Sequence, residues 1–115
     1  IVVTTAIRIT TGTNTPETLS AIFAIGDTIA IGALRAIKDM GLRCPEDISL
    51  IGYDGIESGK YTIPRLATIR QDTDTLARKG VEDMLLRMNY RHAAVHEDIP
   101  FELVRGESVS RPRND

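Results

Sequence analysis

The spacing of apolar residues changes along this chain, and each change predicts an element. Ala21-Ile22-Phe23-Ala24-Ile25 is an unbroken apolar run of strand length, the pattern of a strand covered on both faces in a parallel sheet. Beyond Gly26 the apolar positions fall at 29, 33, 36, 37 and 40, which line up as one stripe of a helix, and Gly41 supplies a left-handed stop. Ile48-Ser49-Leu50-Ile51-Gly52-Tyr53 reads as the next strand, so strand, helix and strand form a βαβ unit with a right-handed crossover. A polar loop from Asp54-Gly55 through Lys60, punctuated by Ile63-Pro64, leads to a third strand at Leu66-Ala67-Thr68-Ile69-Arg70.

A second helix follows over about 73–88, with Asp72 and Asp74 at its positive end. Leu76, Gly80, Met84 and Met88, flanked by Ala77, Val81 and Leu85, give it a wide apolar face. Asn89 to Asp98 reads as polar loop and 99–104 as a last strand, whose Pro100 suits an edge or first position. The tail from Arg105 to Asp115 reads as solvated. Ahead of these elements, residues 1–18 hold seven threonines and the β-branched Ile1, Val2, Val3, Ile7 and Ile9, the makings of a weak strand closed by the turn formers of 12–16. No internal repeat is visible.

At 115 residues the chain suits one domain or one lobe of something larger. Leu, Ile, Val and Phe account for 31 residues, well above the roughly 20% at which chains stay disordered. A net charge of −2 with interspersed signs gives no electrostatic footprint for nucleic acid or an anionic membrane. The single Cys44 cannot form an internal disulfide, and there is no leader and no 18-residue apolar run, so the expected setting is the cytoplasm. The start at Ile1, without Met, suggests that something upstream is missing.

Asp27 is the most informative residue, because it falls just past the carboxyl end of a buried parallel strand, where open α/β sheets bind ligands. The same position also suits a helix N-cap, a task that Thr28 can take instead. Asp54 occupies the equivalent edge after the next strand, as a rim carboxylate or as half of an ordinary Asp-Gly turn, and Gln71 and Asp72 after the third strand pose the same choice. Three strand ends offering polar groups to one edge outweigh any one of them. His92 and His96 are four apart in a polar loop without a third ligand, so no metal site is expected; Cys44 has no His or Cys partner and reads as a plain thiol. Nucleophile-elbow, phosphate-loop, dinucleotide and zinc-protease motifs are absent, so neither an enzyme nor a cofactor is expected.

The run from Ala21 through Gly26-Asp27-Thr28 to Ala36, then Gly41 to Asp54, Tyr61 to Asp72 and Glu102 to Ser108, together resemble the effector-binding core of LacI/GalR-family bacterial transcriptional regulators. The blocks cover about 20–108, leaving 1–19 poorly matched and 109–115 as a tail. The resemblance implies an α/β fold, the parallel-sheet lobe of a periplasmic-binding-protein-like (type I) domain, incomplete here, with 73–98 crossing to a second lobe. It implies that Asp27 hydrogen-bonds a sugar or nucleobase-like effector, with Gln71 and Thr73 as secondary cleft residues, Thr73 lying where some relatives carry a larger one, and that Tyr61 belongs to a homodimer surface. Operator DNA would be contacted only by a helix-turn-helix domain outside this chain, as part of a repressor without membrane or cofactor. A periplasmic sugar-binding protein serving transport is the alternative. Cys44 departs from the aliphatic residue usual in the family. With its partner lobe absent, the apolar face of 73–88 is expected to drive self-association.

Overall fold

A computed structural model describes residues 4–5, 19–89 and 96–111. The chain forms two compact units, residues 1–70 with 103–115 and residues 71–102.

The sheet carries β1 (Thr4–Thr5), β2 (Ala21–Ala24), β3 (Ser49–Asp54), β4 (Ala67–Gln71) and β5 (Phe101–Val104) in the order β1-β2-β3-β4-β5. The expected parallel arrangement holds at its centre: Ile22 lies opposite Leu50 in the β2–β3 pair, and Gly52 opposite Thr68 in the β3–β4 pair, both parallel. β1 runs antiparallel to β2, with Thr4 opposite Ala24. Coverage of both sheet faces does not hold for β2 and β3. Ile22, Ala24, Leu50 and Gly52 are buried while Phe23, Ile51 and Tyr53 are only half-buried, so apolar residues on the second face produced a continuous run without full burial there.

Helix α1 (Asp27–Asp39) packs on the buried face, where Ala30 and Ile37 join Ile22, Ala24, Ile48, Leu50 and Leu66 in one core. It starts two residues before the first apolar position of the expected stripe and is turned slightly from it. Ala36 and Met40 are exposed, whereas Asp27, Ala30 and Ile37 are buried and Leu34 packs against the core. These positions follow +3, +7 and +10 steps, a helical period anchored on a charged residue rather than an apolar one. The helix stops as expected: Gly41 has φ +74, its N–H donates to Lys38 O at 3.0 Å, and the Leu42 N–H donates to Ile37 O at 3.1 Å.

The segment read as loop after β3 contains a 3₁₀ turn, Glu57–Tyr61, with Gly59 buried. The tail is exposed as expected at 105–107 and 109–111, but not at Ser108. Ser108 is fully buried, donating to Leu50 O at 2.6 Å and accepting the Ala67 N–H at 2.8 Å, while its own carbonyl accepts the Leu50 N–H at 2.7 Å. Ser110 continues the attachment through its N–H to Ser49 Oγ. A polar segment can thus be held at the core by satisfying buried backbone groups that strand pairing leaves over.

Just before it, the Glu107 carboxylate accepts the Arg65 backbone N–H and, at 3.0 and 2.9 Å, two guanidinium N–H groups. These bonds, the backbone one foremost, hold the Glu107 carboxyl below its ordinary 4.5. A group whose folded value is lowered contributes stability in full above its unfolded value and loses it as pH falls through the folded one. Glu107→Gln is therefore expected to narrow the difference in urea midpoint between neutral pH and about pH 3. An unchanged difference in denaturation curves would show that the pair adds nothing.

In the second unit, Asp72 accepts the Thr75 N–H at 3.0 Å in the first turn of α2 (Thr73–Asn89), a bond that lowers the Asp72 carboxyl from its usual value. No residue of α2 is buried. Leu76, Val81, Met84, Leu85 and Met88 of the expected apolar face are exposed, as is Leu86 on the other side of the helix. Lys79 pairs with Glu97 beside a groove of about 340 Å³ lined by Leu76, Gly80, Leu86 and Ile99. No helix among the described residues is long and apolar enough to cross a membrane.

Candidate functional site

β2, β3 and β4 are parallel, so their carboxyl ends share one edge of the sheet; Asp54 ends β3 there and Asp27 follows the end of β2. Gly26 is the N-cap of α1, in extended conformation at φ −159°, and no side chain caps the helix. Neither Asp27 nor Thr28 therefore performs the capping considered for it. Asp27 is the first helical residue, and its phase with Ala30, Leu34 and Ile37 turns its carboxylate inward.

Asp27 is completely buried. Oδ1 accepts the Thr68 hydroxyl at 2.6 Å and Oδ2 accepts the Ile56 backbone N–H at 2.8 Å. It also stands over Gly52, where a Cβ would lie 2.2 Å from Asp27 Oδ1. This corrects the expectation that Asp27 presents its carboxylate to an effector: both oxygens are engaged by the protein and none of the residue's surface is accessible.

Asp54 takes the outer position. It is the exposed last residue of β3, and a Cβ at Gly26 would stand 3.4 Å from its Oδ2, so the carboxylate lies against the backbone that joins β2 to α1. Asp54 has φ +110° and Gly55 φ +75°. The turn and rim readings of Asp54-Gly55 are thus compatible, because the turn is what carries the carboxylate to the edge. At Gly55 a Cβ would meet Arg70 Cα, Cβ and Cγ at 2.7 Å, so only glycine fits beneath that strand.

Gln71 ends β4 and is half-buried; Thr73 begins α2 and is exposed, and both belong to the second unit. Tyr61 ends the 3₁₀ turn with 76% of its surface exposed, its hydroxyl donating to Glu57 Oε1 at 3.3 Å. Two residues on, Ile63 is 94% exposed beside a groove of about 490 Å³ whose walls include Ile31, Leu34, Leu42 and Pro64. A further cavity of about 340 Å³, lined by Ile56, Lys60, Leu66, Thr68 and Arg70, adjoins the two residues that Asp27 holds.

Burial chiefly, and then Glu46, raise the Cys44 thiol above its ordinary value, which keeps it protonated, and its Sγ donates to Ser108 O at 3.5 Å. Among the described residues no three His, Cys, Asp or Glu side chains gather as a metal site; His96 is exposed and His92 lies outside the described residues. The residues that sequence reasoning missed are Thr68 and Ser108. No local pattern marks either, although the helical phase running back from Ile37 through Leu34 and Ala30 puts Asp27 on the face they share.

A parallel sheet with a carboxylate at the edge and a helix starting there is the arrangement of a binding lobe, and residues 3–109 match the periplasmic binding protein-like domain; the chain belongs to that family. Its relatives include transcriptional regulators, as the LacI/GalR resemblance implied. The chain is 46% identical over 77 residues to the ribose operon repressor of Haemophilus influenzae, covering 63% of this chain and 23% of that protein. It is 38% identical over 96 residues to the HTH-type transcriptional repressor PurR of Escherichia coli, covering 83% and 28%. Among solved structures, a dimeric lac repressor with a C-terminal deletion superposes with TM-score 0.73 at 33% identity, over 84% of this chain and 35% of that one. A LacI-family regulator from Enterococcus faecium with bound ribose gives 0.70 at 29% identity, over 83% and 36%. The chain thus spans between 23% and 36% of the length of these four proteins.

Proposed function

We propose that this chain is the ligand-sensing and dimerisation region of a cytoplasmic DNA-binding repressor, in which a small polar effector, a sugar or nucleobase, shifts lobe closure and so changes operator binding. The observation that carries the reading is Asp54, an exposed carboxylate at the end of the central parallel strand, set against the Gly26 backbone at the start of α1. A carboxylate there accepts hydrogen bonds from ligand hydroxyl or amino groups, and charge-assisted bonds of that kind are the stronger ones. Asp27 supports the rim from behind. Since the named relatives are repressors rather than enzymes or transport proteins, the regulator reading is favoured over a periplasmic sugar receptor.

Tyr61 and Ile63 form the homodimer contact, because two large side chains left this exposed, Ile63 in a groove with an apolar wall of Ile31, Leu34 and Leu42, are what an interface core covers. The effector would act on the dimer by binding one closure state more tightly than the other, with operator DNA held by a separate helix-turn-helix domain.

The test is calorimetric titration of the full-length protein with pentoses, hexoses and nucleobases. One of them is expected to bind, and Asp54→Ala to weaken it at least about tenfold, the worth of one hydrogen bond to a charged group. Unchanged affinity in Asp54→Ala would remove the rim carboxylate from the site and with it the basis of this reading.

A further inference from the structure

Asp54 holds φ +110°, a conformation that a residue with a Cβ rarely adopts and keeps only where its surroundings enforce it. Two constraints bear on the turn it opens. Gly55 is packed against Arg70, which fixes the turn from the β4 side. Two residues after Asp54, the Ile56 N–H is held at 2.8 Å by the buried Asp27 carboxylate, which fixes it from the α1 side. The other oxygen of that carboxylate is held by Thr68 at 2.6 Å, so Asp27 is itself clamped between the turn and β4. The missing side chain of Gly52 is what leaves room for it.

We infer that Asp27 is a positioning residue: it sets the affinity of the effector site by locking the turn 54–56, and so the direction of the Asp54 carboxylate, without touching the effector. The inference rests on the reading of Asp54 as the effector contact. It also explains why a buried charge is placed at a helix start that it does not cap. An anion at the first helical turn is favoured by the helix dipole, and one buried carboxylate offers acceptors to two donors on different elements, which no apolar residue can do.

The substitutions separate positioning from contact. Asp27→Asn keeps an acceptor for the Ile56 N–H, and its amide can donate to the Thr68 oxygen, so both ties survive without the charge. Asp27→Ala loses both. Amide hydrogen exchange in the full-length protein reads the turn directly. In Asp27→Ala the Ile56 amide is expected to exchange at least about tenfold faster while the Leu50 amide, bonded to Ser108 O, stays protected; Asp27→Asn stays near wild type at both. Thr68→Val, which keeps the Ile56 bond but lets the carboxylate swing, should fall between them, and it serves if Asp27→Ala does not fold. With D-ribose as the probe ligand, affinity is expected to drop about tenfold in Asp27→Ala and to be rescued in Asp27→Asn. Equal loss in the Asn and Ala variants would make the charge itself the contact and overturn the inference, as would wild-type exchange at Ile56 in Asp27→Ala and Thr68→Val. Wild-type D-ribose affinity in Asp54→Ala would instead overturn the underlying reading of the rim, whatever Ile56 does.

Discussion

Gly52→Ala is expected to lower the unfolding free energy by about 3 kcal/mol, the upper part of the range for forcing extra volume into a packed interior. The added Cβ would lie 2.2 Å from Asp27 Oδ1, 3.2 Å from Leu66 Cδ2 and 3.3 Å from Ala30 Cβ. None of these neighbours can simply swing away: Asp27 is held by Thr68 and Ile56, and Leu66 and Ala30 are core residues. Replacing a strand glycine ordinarily stabilises by roughly 0.5–1 kcal/mol through backbone entropy, so a net loss isolates the steric term. Urea denaturation measures it. A loss below about 0.5 kcal/mol would mean that the carboxylate relocates at little cost. The double variant Gly52→Ala with Asp27→Ala provides the internal control. Because the two groups collide, the combined loss should be smaller than the sum of the single losses by at least about 1 kcal/mol.

The second large effect is expected at Ser108. Ser108→Ala removes one hydroxyl and no appreciable volume, yet it leaves the Leu50 carbonyl and the Ala67 N–H buried without their partner. At about 1–3 kcal/mol for each group left unsatisfied, the loss should reach about 3 kcal/mol. Ser110→Ala, two residues on at an exposed position, should stay within about 0.5 kcal/mol. Equal, small effects at the two serines in thermal or urea unfolding would contradict the view that Ser108 anchors the otherwise exposed tail to the core.

Both residues illustrate what could and could not be read in advance. The strands at 21, 49 and 67 were legible because short runs rich in Ile, Leu and Ala between glycines and acidic turns have few other uses in a chain of this composition. Gly41 was legible as a stop because its role is local. Asp27 was legible as a residue of consequence but its direction was not, since position at a strand end says only that the backbone reaches the ligand edge. Helical phase puts Asp27 on the face of Ala30 and Ile37, but a carboxylate stays there only where donors from other elements satisfy it. Ser108 left no signal, because its partners, Leu50 and Ala67, lie 58 and 41 positions away in sequence.

What the sequence determined by itself is therefore the order and kind of the elements, the parallel βαβ frame, and the edge at which acidic residues collect, all of which follow from spacing between near neighbours. Only the tertiary structure decided which of two acidic residues faces outward. Asp27 is drawn inward because two donors, one on the turn after β3 and one on β4, meet at a gap left by Gly52, and a buried carboxylate is tolerated where such donors satisfy it. Asp54 is left at the edge because the turn it opens is fixed on both sides. Hydrogen-bond partners distant in sequence make that choice, and they come together only when the sheet is assembled.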